Sequence, residues 1–418
     1  MSQTLSPAEI RPTVERLMAQ TPVFDLHTHL YAAPFGELLL WGPEELITYH
    51  YLIAEVSRTD TSVSPEQFYS LPRRARAQHI WERLFIERGP ISEARIGVLR
   101  ALQDLGADVA AKDWPAIVDY FASRTVEEHL DAVFTTANCS GAVMTNDPLD
   151  DLERPVWEQG FDRDPRFAAA LRLDGLLVFL ERNLARLSAM GYSLSTALSN
   201  ADLAEARRFL TDWIARMDPL YMAVSLPDTF QYPANDLTAR LIREAVMPVA
   251  RETGVPFALM IGVRRQLNPA LKLAGDGVGR ADVGAVARLC EENPEVKFLV
   301  TLLSLENQHE LAVTARKFPN LMPFGCWWFL NDPSLIEQIT RLRLELLGTS
   351  FIPQHSDCRI LDQLVYKWAH SRPIIARCLA DKYEQAAASG WPLTEAEIAR
   401  DVADLLSENF FRFIGRSR

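Results

Sequence analysis

Cysteine is scarce, with five residues, Cys139, Cys290, Cys326, Cys358 and Cys378, among 418 and no C-x-x-C pair. That scarcity excludes a disulfide scaffold and makes a reducing cytoplasm the default compartment. No uncharged apolar stretch reaches the roughly 18 residues that a membrane-spanning helix needs. The opening segment MSQTLSPAEIRPTVERLMAQ carries Glu9 and Glu15 and no apolar run, so it reads as neither a signal nor a transit peptide. Several motifs are missing: G-x-x-x-x-G-K-[ST], a G-x-G-x-x-G after a strand, the G-x-S-x-G elbow and H-E-x-x-H. Nucleotide use, serine hydrolysis and zincin chemistry are therefore unsupported. Basic charge is also in deficit, since 43 Lys+Arg against 55 Asp+Glu leave a net charge of −12. Such a field repels nucleic acid and anionic membranes, and an anionic small molecule must be held by local arginines.

Apolar residues, by contrast, are ample at 48%, beside 23% charged residues, as in an ordinary globular protein. Short apolar runs recur along the chain: VFDLH (23–27), GAVMT (141–145), AAALR (168–172), YMAVSL (221–226), PFALMIG (256–262), VKFLVTLL (296–303), MPFGCWW (322–328) and SFIPQHSD (350–357). Continuous apolar runs, rather than alternating ones, are what strands buried on both faces require, and these runs predict an α/β (β/α)8 TIM barrel. The stretch ARLIREAVMPVARETGVPFALMIG passes from helical spacing through a Gly stop into an apolar run, as a βα repeat should. Residues 36–130 are rich in helix formers and predict a helical insertion after strand one. A second helical excursion, from LVFLERNLARL to ARRFLTDWIARM, separates runs three and four. Neither has the Gly/Ser/Pro richness of a linker, so residues 1–418 read as a single decorated barrel domain.

The sharpest local feature is His27-Thr28-His29 at the end of the first apolar run. Residues i and i+2 of a strand share a side, so both imidazoles can converge on one metal ion at the catalytic rim of a barrel. A second feature, His355-Ser356-Asp357-Cys358-Arg359, ends the last run. The first and eighth strands of a closed barrel are neighbours, which brings Asp357 towards His27 and His29 as an N,N,O set suited to zinc or a similar divalent ion. Asp357 could instead serve as a general base, with Arg359 holding a carboxylate or an oxyanion, or Ser356 and Asp357 could simply cap a helix.

The segments FDLHTHL and ELLLWGPEELITYHYLIAEV, followed in order by MTNDP, ALRLD, MIGVRR, FGCWWFLND and HSDCR, resemble the uronate isomerase family of the amidohydrolase superfamily over nearly the whole chain. The resemblance implies an amidohydrolase-like (β/α)8 barrel with a helical insertion after strand one. It also implies an aldose–ketose isomerase that interconverts glucuronate or galacturonate with the matching ketouronate through a cis-enediol. Residue by residue, it implies metal ligation by His27, His29 and Asp357, catalysis by Asp357, Arg359 and Tyr51, and substrate binding by Arg172, His50, Trp327 and Trp328. A divalent metal, zinc by its donor set, and a small sugar-acid substrate follow as cofactor and partner. A homo-oligomer is compatible with the sequence.

The chain also departs from the family pattern. Met260 replaces the strand-five histidine, Asn146 replaces the first of the two carboxylates of the family's T-D-D-P, here Thr145-Asn146-Asp147-Pro148, and Ala54 stands where an arginine is expected. His355 occupies a usually apolar position, and we expect it, if the strand stays extended through Ser356, to share the rim with Asp357 and take over part of the missing histidine's work. Two alternatives stand beside isomerisation. One is metal-dependent hydrolysis of a lactone, ester or amide, and the other is a degenerate barrel that only binds a sugar acid.

Overall fold

β1 (Val23–Thr28) is buried along its whole length, as is β7 (Phe298–Leu302), because helices cover one face of the sheet and the barrel interior covers the other. A computed structural model describes residues 4–417. Its other strands are β2 (Cys139–Asn146), β3 (Phe167–Arg172), β4 (Met222–Pro227), β5 (Phe257–Arg264), β6 (Gly277–Val278) and β8 (Leu321–Pro323). All run parallel in the order β1-β2-β3-β4-β5-β7-β8, except the short β6, which pairs antiparallel with the end of β5. The expected Gly stop is present: Gly254 adopts φ +70° and ends the Met247–Thr253 helix just before β5.

Two expected strands come out differently. The run 322–328 is strand only as far as Pro323, and 350–357 forms no regular strand. Pro353 has no N–H to give a ladder, while Gly325 at φ +70° and Asp357 at φ +55° turn the chain out of the extended region. The segment nevertheless completes the barrel. Ile352 N donates to Pro323 O (3.1 Å) and Gly325 N to Ile352 O (2.9 Å). Further along, Asp357 N donates to His27 O (3.1 Å) and His29 N to Cys358 O (2.7 Å). Its first half thus pairs with β8 and its second with β1. The fold is a (β/α)8 TIM-like barrel.

Phe24, Leu26, Val143, Ala170, Ala223, Ala258 and Leu299 fill the barrel interior, and Phe410 and Phe411 of the Asn409–Ile414 helix plug it beneath the start of β1. On the outside, the Gln363–Ala388 helix packs on the Pro7–Gln20 helix. Its Arg372 donates to the carbonyls of Met18 (2.7 Å), Thr21 (2.8 Å) and Asn138 (2.8 Å) at the entries to β1 and β2. Between β1 and β2 the chain runs through short helices, from Ala33–Leu38 to Val126–Thr136. No described helix is long and apolar enough to cross a membrane.

Candidate active site

In the lower half of β1 the inward side chains are Phe24 and Leu26. Regular alternation would then send His27 outward. The pairing with β2 prevents this: Asp25 lies opposite Ala142 but Thr28 opposite Met144, so β1 holds one extra residue. A bulge of this kind re-aims the strand's side chains. Here it turns His27 and His29 into the rim, their rings 5.3 Å apart, edge to face.

Asp357 completes the group. Its Oδ1 lies 3.5 Å from Nε2 of both His27 and His29, and the three donor atoms lie within 4.8 Å of one another. Asp25 brings the segment in, since its carboxylate accepts from Ser356 N (3.1 and 3.2 Å) and Trp368 Nε1 (2.8 Å). Burial lowers the pKa of His27 to about 3, against an opposing pull from Asp357. Burial and the field of Arg172 and Arg359 also lower that of His29 to about 3, although 23% of its side chain meets solvent. Asp357 is pushed up to about 6 by burial, while His27, Lys367 and Arg172 oppose the rise. Two neutral imidazoles and one carboxylate, with His27 Nε2 and Asp357 Oδ1 buried and lacking hydrogen-bond partners, form an N,N,O donor set that fits a divalent cation.

The other expected residues take different positions around this group. Arg172, at the end of β3, pairs with Asp174, and its charge reaches His29 and Asp357. Arg359 makes no ion pair with any described residue, and its charge reaches His29, His50 and Tyr49. His50 opens the His50–Thr59 helix, and its Nε2 accepts from Trp328 Nε1 at 3.1 Å. Tyr51 is next in that helix; burial and nearby Tyr49 and Asp357 raise its pKa well above the usual value, so its hydroxyl stays protonated.

Trp328 is half-buried, at φ +48°, whereas Trp327 is buried against Met260, Val263 and Leu303. Met260 thus sits in an apolar patch, with no imidazole or carboxylate in its place. His355 is fully buried, its ring 5.1 Å from that of His27 and neither nitrogen hydrogen-bonded. The extended-strand route to that position is corrected, since the left-handed turn at Asp357 breaks the alternation.

Sequence reasoning missed Tyr221, whose hydroxyl lies 3.1 Å from His27 Nδ1, and the clamp of Asp25 by Trp368. Both link residues far apart in the chain, and a tyrosine at the head of an apolar run carries no local signal of its partner.

No protein-family model and no curated protein sequence matches the chain. Solved structures do. A uronate isomerase from Bacillus halodurans C-125 is 53% identical, with a TM-score of 0.97 over 99% of this chain and 98% of its own. A uronate isomerase from Thermotoga maritima, 15% identical, matches with a TM-score of 0.75 over 99% of this chain and 100% of its own. A glucuronate isomerase from Caulobacter crescentus, 16% identical, does so with a TM-score of 0.75 over 98% and 94%. The two distant matches show a shared fold, whereas the first shares more than half its residues along almost the entire length. The chain belongs to the uronate isomerase family.

Proposed function

We propose that this enzyme interconverts a uronate of the glucuronate or galacturonate type with the corresponding ketouronate. The observation that carries the reading is the meeting of Asp357 with His27 and His29 at the rim, beside the charges of Arg172 and Arg359. Family membership supports it. A pKa of about 6 leaves the Asp357 carboxylate ionised at neutral pH yet basic enough to take a proton next to a carbonyl.

In the open-chain sugar, Asp357 removes the C2 proton, the C2–H electrons form the C1=C2 bond of a cis-enediol, and O1 gains a proton. Return of a proton to C1 and loss of the O2 proton give the ketone, so no external oxidant or reductant enters. Arg359, free of a carboxylate partner, stabilises the charge developing on oxygen, and Arg172 draws in the sugar carboxylate. Tyr51, held protonated, donates to a substrate oxygen, and the Trp328–His50 pair bounds that side of the site. His27, His29 and Asp357 would hold a divalent ion, zinc by its donor set, which when bound supplies polarisation of a substrate oxygen.

Nothing in the site or its neighbours favours the hydrolase alternative, and the apolar packing around Met260 removes the histidine that hydrolases of this type use. The five cysteines are buried and free, which supports a reducing, cytoplasmic location. The test is incubation with glucuronate and galacturonate in deuterium oxide. Ketouronate formation with exchange at the transferred position supports the enediol route, and absence of any ketouronate rejects the reading.

A further inference from the structure

Tyr221 lies immediately before β4, is completely buried, and reaches across the barrel interior to β1. Its hydroxyl is 2.7 Å from Leu26 O and 3.1 Å from His27 Nδ1. A carbonyl oxygen can only accept, so the phenolic proton is committed to Leu26 and only lone pairs face the imidazole. Thr145 is placed alike: its Oγ1 donates to Thr28 O at 2.8 Å and lies 3.4 Å from the same Nδ1. Both hydroxyl oxygens beside Nδ1 thus present lone pairs to it, an arrangement that favours a hydrogen on Nδ1.

We infer that Tyr221, assisted by Thr145, is a positioning residue that locks His27 in the Nδ1–H tautomer and so presents the Nε2 lone pair to the site. The opposite tautomer would leave two hydroxyl oxygens facing an unprotonated Nδ1 and turn Nε2–H towards Asp357, blocking a cation there. In the locked form, Nε2 and Asp357 Oδ1 confront one another 3.5 Å apart with no hydrogen between them. A cation or a donor hydrogen of the substrate relieves that opposition. Partners of this kind, on the nitrogen remote from the ligand, orient metal-binding histidines in general. Here a neutral phenol from the far side of the barrel fills that role.

The inference rests on His27 belonging to the isomerase site, but the ring is observed without turnover. Long-range proton–nitrogen correlations of the full chain labelled at histidine nitrogen, without zinc, should show His27 protonated at Nδ1 and bare at Nε2, the signal being assigned by its loss in His27→Gln. Protonation at Nε2 instead overturns the proposal, whether or not any variant folds. In Tyr221→Phe the two tautomers should mix and the affinity for added Zn²⁺ fall about 10- to 100-fold, while Thr145→Ser keeps both properties. Tyr221→Phe with an unchanged His27 spectrum and zinc affinity overturns it too, even if kcat falls. Should Tyr221→Phe fail to fold, Thr145→Val is read in the same way, with a smaller shift of the same sign. Failure of the wild type to isomerise uronates would refute the function and leave this measurement standing.

Discussion

Asp357 combines two properties that rarely occur together, a buried carboxylate and an unpartnered oxygen facing two neutral imidazoles. Asp357→Asn preserves volume while removing the basic oxygen. We expect kcat to drop about 10²- to 10⁴-fold with the unfolding midpoint unchanged or raised, checked by steady-state kinetics and urea denaturation. Near-normal turnover would remove Asp357 from the mechanism. Arg359→Lys keeps charge but loses the planar fork, so kcat/KM should fall about 10- to 100-fold through both parameters. The residue types at these positions were legible from H-x-H and the D-x-R near the C-terminus, because their chemistry is a property of short sequence. Tyr221 was not, because 194 residues separate it from His27 and only barrel closure joins them.

Single elements are bent where the site needs them. In β1, the extra residue between Asp25 and Thr28 moves the inward face from Phe24 and Leu26 to His27 and His29. Beyond β8, Gly325 at φ +70° leaves room for His355: a Cβ there would lie 1.9 Å from the ring Cδ2 and 2.4 Å from Nε2. That ring cannot retreat freely, being wedged between Phe324 (5.2 Å) and His27 (5.1 Å). Gly325→Ala should therefore cost more than about 2 kcal/mol of stability and lower kcat by displacing His27, measured by urea unfolding and kinetics. An unchanged midpoint would mean that the His355 ring has space to move. The apolar runs around 322 and 352 were recognisable as barrel material. Their irregular backbones were not, because Pro323 and Pro353 act through ladder hydrogen bonds whose partners are set by the neighbouring strands.

Across the whole molecule, a second set of stabilising contacts lies at the end of the barrel opposite the candidate site. Arg372 ties three carbonyls at the entries to β1 and β2, far from the rim. Arg372→Ala leaves the Met18 and Thr21 carbonyls unpaired, while Asn138 O keeps its bond from Val23 N (3.1 Å), and should cost about 2 kcal/mol or more in urea unfolding, with kcat of the folded enzyme changed by less than about threefold. A large kcat loss at full stability would show that Arg372 acts on the site rather than on the fold. Glu153 cross-links the outer side of the rim: it accepts from Tyr31 Oη (2.6 Å) and Asn146 Nδ2 (2.9 Å), and burial pushes its pKa from 4.5 up to about 7. The folded chain then binds this proton more tightly than the unfolded chain. Its contribution to stability is full below about pH 4.5 and is lost as the pH rises to about 7, at no more than about 1.4 kcal/mol per pH unit. Glu153→Gln should flatten the stability profile over that window in urea titrations. An unaltered slope would show that folding does not shift the Glu153 carboxyl.

The amino-acid order alone determined which segments are apolar on both faces, where the Gly254 stop falls, and which side chains can ligate a metal or move a proton, since each depends on residues a few positions apart. Tertiary structure decided which of those side chains meet. The β1 bulge exists only through pairing with β2, the 352–358 segment closes the barrel only because β8 and β1 flank it, and His27 finds Tyr221 only across a filled interior. Those contacts depend on strand register and packing between distant parts of the chain, and no local period encodes them.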